Sequence, residues 1–197
     1  MTDDYPESAS QTAGPYVHIG CTPNFAGITG VYPSDLGTRM ITGGAKGTPI
    51  TLTGVIYDGD GTPLCDAMIE AWQPDAAGLF AGQKGADPAV PGFGRCPCDA
   101  GDGRFVFETV KPGAVAWPAG GMQAAHISLW IVARGINLGL HTRAYFADDP
   151  ALDSDPVLGG IAHKSRIHTL IAQPKGKGVY EMNIHLQGPD ETIFFDV

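Results

Sequence analysis

The chain has 197 residues, of which 21 are acidic and 12 basic, giving a net charge of −9. This length fits one domain, and a hydrophobic fraction of 43% is that of an ordinary globular protein. The acidic balance argues against nucleic acid or an anionic membrane as partner, and no apolar run reaches the ~20 residues of a membrane span. The opening Met1-Thr2-Asp3-Asp4 lacks the basic start and apolar core of a signal peptide. The expectation is a soluble cytoplasmic protein that would need a specific arginine to hold any carboxylate ligand.

Residues 1–48 show no sustained period and are punctuated by proline and glycine. Thr12 to Ile19 is too apolar for a solvated tail, so this stretch reads as an extended arm that docks on a partner chain. The first strand signal is Ile50 to Tyr57, rich in β-branched residues and closed by the turn sequence Asp58-Gly59-Asp60-Gly61. Leu64 to Trp72 reads as its return strand. Residues 74–102, dense in Gly, Pro and Asp, read as one long loop, and loops of that length are usually functional. Arg104–Val110 is a further strand, leading into a Pro/Gly-rich segment from Lys111 that ends where His126 opens a strand to Arg134. Leu140–Phe146 reads as an antiparallel partner.

Asp153 to Gln173 is the one helical candidate, with Asp155 as its cap and Pro156 in the first turn, weakened by Gly159-Gly160. Two closing strands follow. In Val179–Gln187, Tyr180, Met182, Ile184 and Leu186 alternate with polar residues; Thr192–Val197 is the last. The sum is an all-β fold, a β-sandwich of mainly antiparallel strands with long loops and little helix, forming a single domain over 1–197.

Elementary chemistry finds no complete active site. There is no His-x-His pair, no H-E-x-x-H run, no G-x-S-x-G elbow and no phosphate-binding glycine motif. Cys96 and Cys98 could give zinc two ligands, but no second pair has matching spacing, so they read as free thiols. A lone strand histidine such as His126 reads first as hydrogen-bonded scaffold.

Several segments nevertheless carry a resemblance. Ser10 to Tyr16, Glu70-Ala71-Trp72-Gln73, Thr109 to Gly113 and Ala125-His126-Ile127 resemble the intradiol ring-cleaving dioxygenases. Ala133 to Asn137, Leu140 to Arg143 and Glu191 to Asp196 are similar to the alpha chains of the heteromeric, protocatechuate-cleaving members. The family reaction opens the catechol ring between its hydroxyls with O₂. It uses a non-haem Fe³⁺ held by two tyrosines and two histidines. Matched to that pattern, the ligand positions fall at Phe80, Val115, His126 and Ser128, and Gln123 stands where the family has an arginine. Valine and phenylalanine offer no donor atom, and serine is a poor substitute for imidazole.

The resemblance therefore implies no metal on this chain, with Fe³⁺ on a beta subunit. This chain would supply pocket-wall residues: Thr12, Gly14, Pro15, Tyr16 and Arg134. On one continuous strand Arg134 would stand about 26 Å from His126 at ~3.3 Å per residue, too far to share a small site. The sequence is also compatible with two other readings, a non-enzymatic β-sandwich that binds a small aromatic or a partner, and a homomeric catechol or hydroxyquinol dioxygenase.

Overall fold

The computed structural model describes residues 11–137 and 139–196. Nine strands form one mixed sheet: β1 (Pro49–Tyr57), β2 (Met68–Trp72), β3 (Phe93–Pro97), β4 (Arg104–Val110), and, after a short hairpin, the remaining five. The hairpin consists of β5 (Val115–Ala116) and β6 (Met122–Gln123). The rest of the sheet is β7 (His126–Val132), β8 (Leu140–Phe146), β9 (Ile171–Gly176), β10 (Val179–Glu181) and β11 (Ile184–His185). β4 pairs antiparallel with β1; from β1 the sheet continues through β10, β9, β8, β7 and β2 to β3, and β11 extends the parallel pairing beside β1.

The sheet curls so that its two halves face each other across one core. Leu52, Ile56, Phe105 and Phe107 come from one half, and Ile69, Ile127, Leu129 and Ile131 from the other. Strand alternation produces this: Ile127, Leu129 and Ile131 are buried, while Ser128, Trp130 and Val132 on the opposite face of β7 are only half-buried. The ends of the sheet nearly meet, with the Val106 amide donating to Cys96 Sγ across 3.4 Å. The expected all-β class holds, and among the described residues no helix is long and apolar enough to cross a membrane.

Several boundaries differ from expectation. The segment expected to return beside β1 does not pair with it as a strand. β2 starts at Met68, not Leu64, and pairs with β3 and β7, while β1 pairs with β4, β10 and β11. The Asp58 carboxylate holds the intervening chain in a wider turn by accepting from the Asp60 and Thr62 amides. The loop over 74–102 contains β3, hidden by its lack of β-branched residues. Gly94 sits there because a Cβ would come within 2.7 Å of Met40. The helix expected over 153–173 is broken into a 3₁₀ turn (Leu152–Ser154), the five-residue helix α2 (Pro156–Gly160) and a second 3₁₀ stretch (Lys164–Leu170), and its end becomes β9. Gly159-Gly160 stops it, as glycine pair entropy would dictate.

The strand expected over 179–187 breaks at Met182-Asn183. There Met182 N–H bonds to Thr53 O and Asn183 Oδ1 accepts from Val55 N–H. A Cβ on Gly54 would meet Met182 O at 1.9 Å, so this crossing requires glycine. The last expected strand, 192–197, reduces to a single bridge from Phe195 to His141, with Val197 outside the described residues.

The arm, expected to be extended, holds a short helix, α1 (Pro15–Cys21), preceded by Gly14. It is anchored to its own domain. His18 Nε2 lies 3.1 Å from Asp66 O, the Arg95 amide donates to Gly37 O, and Met40 inserts into the core. The arm leaves Tyr16 (84% exposed), Ile19, Phe25, Val31 and Leu36 exposed. The first ten residues of the arm lie outside the described part.

Candidate functional site

Strand pairing, and for Phe80 a ring stack, set the four positions that resemblance assigns to metal ligands near one end of β2 and β7. Val115 pairs with Gln123 in the β5–β6 hairpin, and Trp72 pairs with Ser128, which pairs in turn with Arg143. The Phe80 ring stacks on Trp72, with centroids 6.1 Å apart and planes 7° from parallel. The close crossing of two loops fixes this corner: a Cβ on Gly78 would come within 2.0 Å of Ala114 O, and Gly78 has φ +80°.

The donor set does not fit a ferric ion. His126 is 4% exposed, with Nδ1 2.8 Å from Ala124 O and its ring tilted against Tyr145 at 5.4 Å. Phe80 and Val115 have no donor, and among the described residues no three His, Cys, Asp or Glu side chains are grouped to hold a metal. The nearby Tyr145 hydroxyl is engaged elsewhere, accepting from Arg143 Nη1 at 3.1 Å and donating to Asp155 Oδ1 at 3.5 Å.

The corner is instead a buried hydrogen-bond network. Arg143 Nη1 donates to Gln123 Oε1 at 2.8 Å and to the Tyr145 hydroxyl at 3.1 Å, and its guanidinium lies over the Phe195 ring. Asp155, itself buried, accepts from the amides of Ala124, Val157 and Leu158, each at 2.8 Å, capping α2 and tying it to the approach to β7. Arg143 was not singled out from the sequence. Its signal is the one full charge in the strand Leu140–Phe146, at the position that pairs with Ser128.

Burial pushes His126 down to about 4, against a weaker opposing pull from the Ala124 carbonyl. The folded protein therefore holds this imidazole neutral while the unfolded chain protonates it near 6.5. The sign follows: stability is full above pH ~6.5 and falls as pH drops toward ~4, by up to roughly 3 kcal/mol from this group. Urea midpoints taken between pH 7.5 and 4.5 should show that loss, and His126→Gln should flatten it; an unchanged pH slope in the variant would contradict the assignment.

The other candidate residues lie at the opposite end of β7. Arg134 was expected on the strand opened by His126, but β7 ends at Val132 and leaves it outside. Ala133 to Ile136 form a turn closed by Ile136 N–H to Ala133 O at 3.2 Å, with Gly135 at φ +88°. His126, the first residue of β7, and Arg134, two past its last, are thus kept apart by the strand's length. The Arg134 side chain is 82% exposed, with Nε 3.3 Å from Asp66 Oδ2.

Arg134 borders two cavities of about 460 Å³ each. One lies under the arm and is lined by Gly14, Pro15, His18, Phe25 and Asp66. The other is lined by Leu64, Ile136, Asn137, Leu140 and Leu186. Thr12 reaches the same turn, donating to Ala133 O at 3.2 Å and accepting from Gly135 N–H at 2.8 Å. Tyr16 points away into solvent. The structure thus brings Thr12, Gly14, Pro15 and Arg134 around one turn. Asp66 and His18, which it adds to them, carried no signal in the sequence. Cys96 and Cys98 are free, and burial pushes the Cys98 thiol up to about 12, leaving it inert.

A family model described as dioxygenase matches residues 22–188. The chain is 41% identical over 195 residues to the protocatechuate 3,4-dioxygenase alpha chain of Pseudomonas putida, covering 97% of this chain and 96% of that one. The beta chain of the same enzyme from Burkholderia cepacia is more distant, at 34% over 159 residues, covering 74% of this chain and 67% of its own. Among solved structures, hydroxyquinol 1,2-dioxygenase from Pseudomonas putida DLL-E4 matches with a TM-score of 0.61 at 24% identity, over 76% of this chain. This chain spans 59% of the length of that structure, and the likeness bears on the fold alone. With a matched β-sandwich, a family model over most of its length and a full-length relative above 40% identity, the chain belongs to the intradiol dioxygenase family.

Proposed function

We propose that this chain is the alpha subunit of a heteromeric protocatechuate 3,4-dioxygenase. Such an enzyme uses O₂ to open protocatechuate between its two hydroxyls, giving 3-carboxy-cis,cis-muconate, in the breakdown of aromatic compounds in the cytoplasm. The reading is carried by one conjunction: full-length similarity to an alpha chain, together with side chains at Phe80, Val115 and Ser128 that cannot serve a ferric ion. Membership of the family implies a non-haem iron. The beta subunit holds it, and this chain takes part in the reaction without a metal of its own.

Its contribution is a wall. Arg134 stands exposed on a turn where a guanidinium can meet the anionic substrate, a requirement sharpened by the chain's net charge of −9. Gly14, Pro15 and Tyr16 form the neighbouring surface of the arm, and Thr12 lies against the Arg134 turn. The exposed Tyr16, Ile19, Phe25, Val31 and Leu36 are the apolar side of an arm that docks on the beta chain. A homomeric dioxygenase is disfavoured by the same missing donors.

Co-expression with a beta chain tests the proposal. The two chains should co-purify as a coloured complex that consumes protocatechuate and O₂, whereas this chain alone should be colourless and inactive. A chain that purifies alone with activity, or never forms the complex, would count against it.

A further inference from the structure

Thr12 has a single hydroxyl proton, and it is spent on Ala133 O at 3.2 Å. Its oxygen accepts from the Gly135 amide at 2.8 Å. These two bonds bracket Arg134, fixing the peptide groups on either side of it. The bracket joins residues 121 and 123 positions apart, so it holds only while the arm lies on the domain. Among the described residues, the turn itself has little else to define it. It has one internal hydrogen bond, a left-handed glycine and a largely exposed guanidinium, whose pair with Asp66 is of the surface kind that contributes little.

His18 of the arm helix lies 3.1 Å from the carbonyl of Asp66, whose carboxylate faces Arg134, so the arm reaches the arginine's surroundings by a second route. We infer that Thr12 is a positioning residue, which pins the Arg134 turn and affects the reaction only through Arg134, and that the arm's function at the site is to hold this arginine. The inference rests on the alpha-subunit reading and on Arg134's place in the pocket.

A double-mutant cycle in the alpha–beta complex tests it. Thr12→Val, which keeps the shape and removes the hydroxyl, should lower kcat/KM roughly 5-fold, the net worth of about one hydrogen bond. Thr12→Ser should restore it. In an Arg134→Ala background, Thr12→Val should cost nothing further. The same fold-loss in both backgrounds would mean that Thr12 touches substrate directly, and would overturn the inference; so would wild-type kinetics for Thr12→Val. Wild-type kinetics for Arg134→Ala would instead remove the pocket role of Arg134, and the role of Thr12 with it.

Amide exchange gives an independent reading on the isolated chain. The Gly135 N–H should exchange faster in Thr12→Val than in wild type or Thr12→Ser. An unchanged rate would show that the bracket does not order the turn, and would also overturn the inference.

Discussion

Arg134→Ala in the alpha–beta complex should lower kcat/KM for protocatechuate roughly 10- to 100-fold, the range set by losing a charge-assisted hydrogen bond to an anionic ligand. Iron content should not change, because the metal ligands belong to the beta chain and the guanidinium acts on the substrate. Nor should the stability of the isolated chain shift by more than a few tenths of a kcal/mol, since the side chain is 82% exposed and its one ion pair, to Asp66, is at the surface. Arg134→Lys should fall between wild type and alanine, because lysine keeps the charge and loses the planar fork. Steady-state kinetics with iron analysis on the same preparations separates the outcomes. Iron loss in Arg134→Ala would place the arginine with the metal, and wild-type kinetics would place it outside the pocket.

Asp155→Ala should cost about 3 kcal/mol of unfolding free energy, the largest loss expected from any single polar change at the donor-poor corner. The carboxylate is buried and accepts from three amides, two that begin α2 and one at Ala124, just before β7. Removing it strands those donors away from water, and an unsatisfied buried group costs about 1–3 kcal/mol. It also leaves the Tyr145 hydroxyl without the carboxylate to which it donates at 3.5 Å. Asp155→Asn should recover part of the loss, since the amide oxygen can still cap α2 while its NH₂ group opposes the Ala124 amide. Urea unfolding of the isolated chain measures both, and a loss under 1 kcal/mol for alanine would show that water replaces the carboxylate.

The fold was legible where burial is one-sided. Ile50–Tyr57, Arg104–Val110 and Leu140–Phe146 announce themselves by β-branched and aromatic residues, and the alternation of Tyr180, Met182 and Ile184 survives in the structure although the strand breaks between them. β3 was not legible, because Phe93-Gly94-Arg95-Cys96-Pro97 owes its strand conformation to pairing with β2 and to Met40 packing on Gly94. The helix at 153–173 fails for a local reason that was visible, the Gly159-Gly160 pair, whose effect was to end the helix after one turn.

At the functional end, the missing donors at Phe80, Val115 and Ser128 could be read from the sequence by resemblance alone. What fills their place could not. Arg143, Tyr145 and Asp155 come together only through the β7–β8 pairing and the cap of α2. Likewise, Thr12 and Arg134 are 122 positions apart, and that one hydroxyl brackets the other's turn is a fact of the arm's docking.

The most direct measurement is the iron content of the purified alpha–beta complex together with that of each separated chain. One ferric ion per alpha–beta pair, recovered wholly with the beta chain and none with this one, is the predicted result. Two ions per pair, or iron retained by this chain with a tyrosinate absorption band, would contradict it.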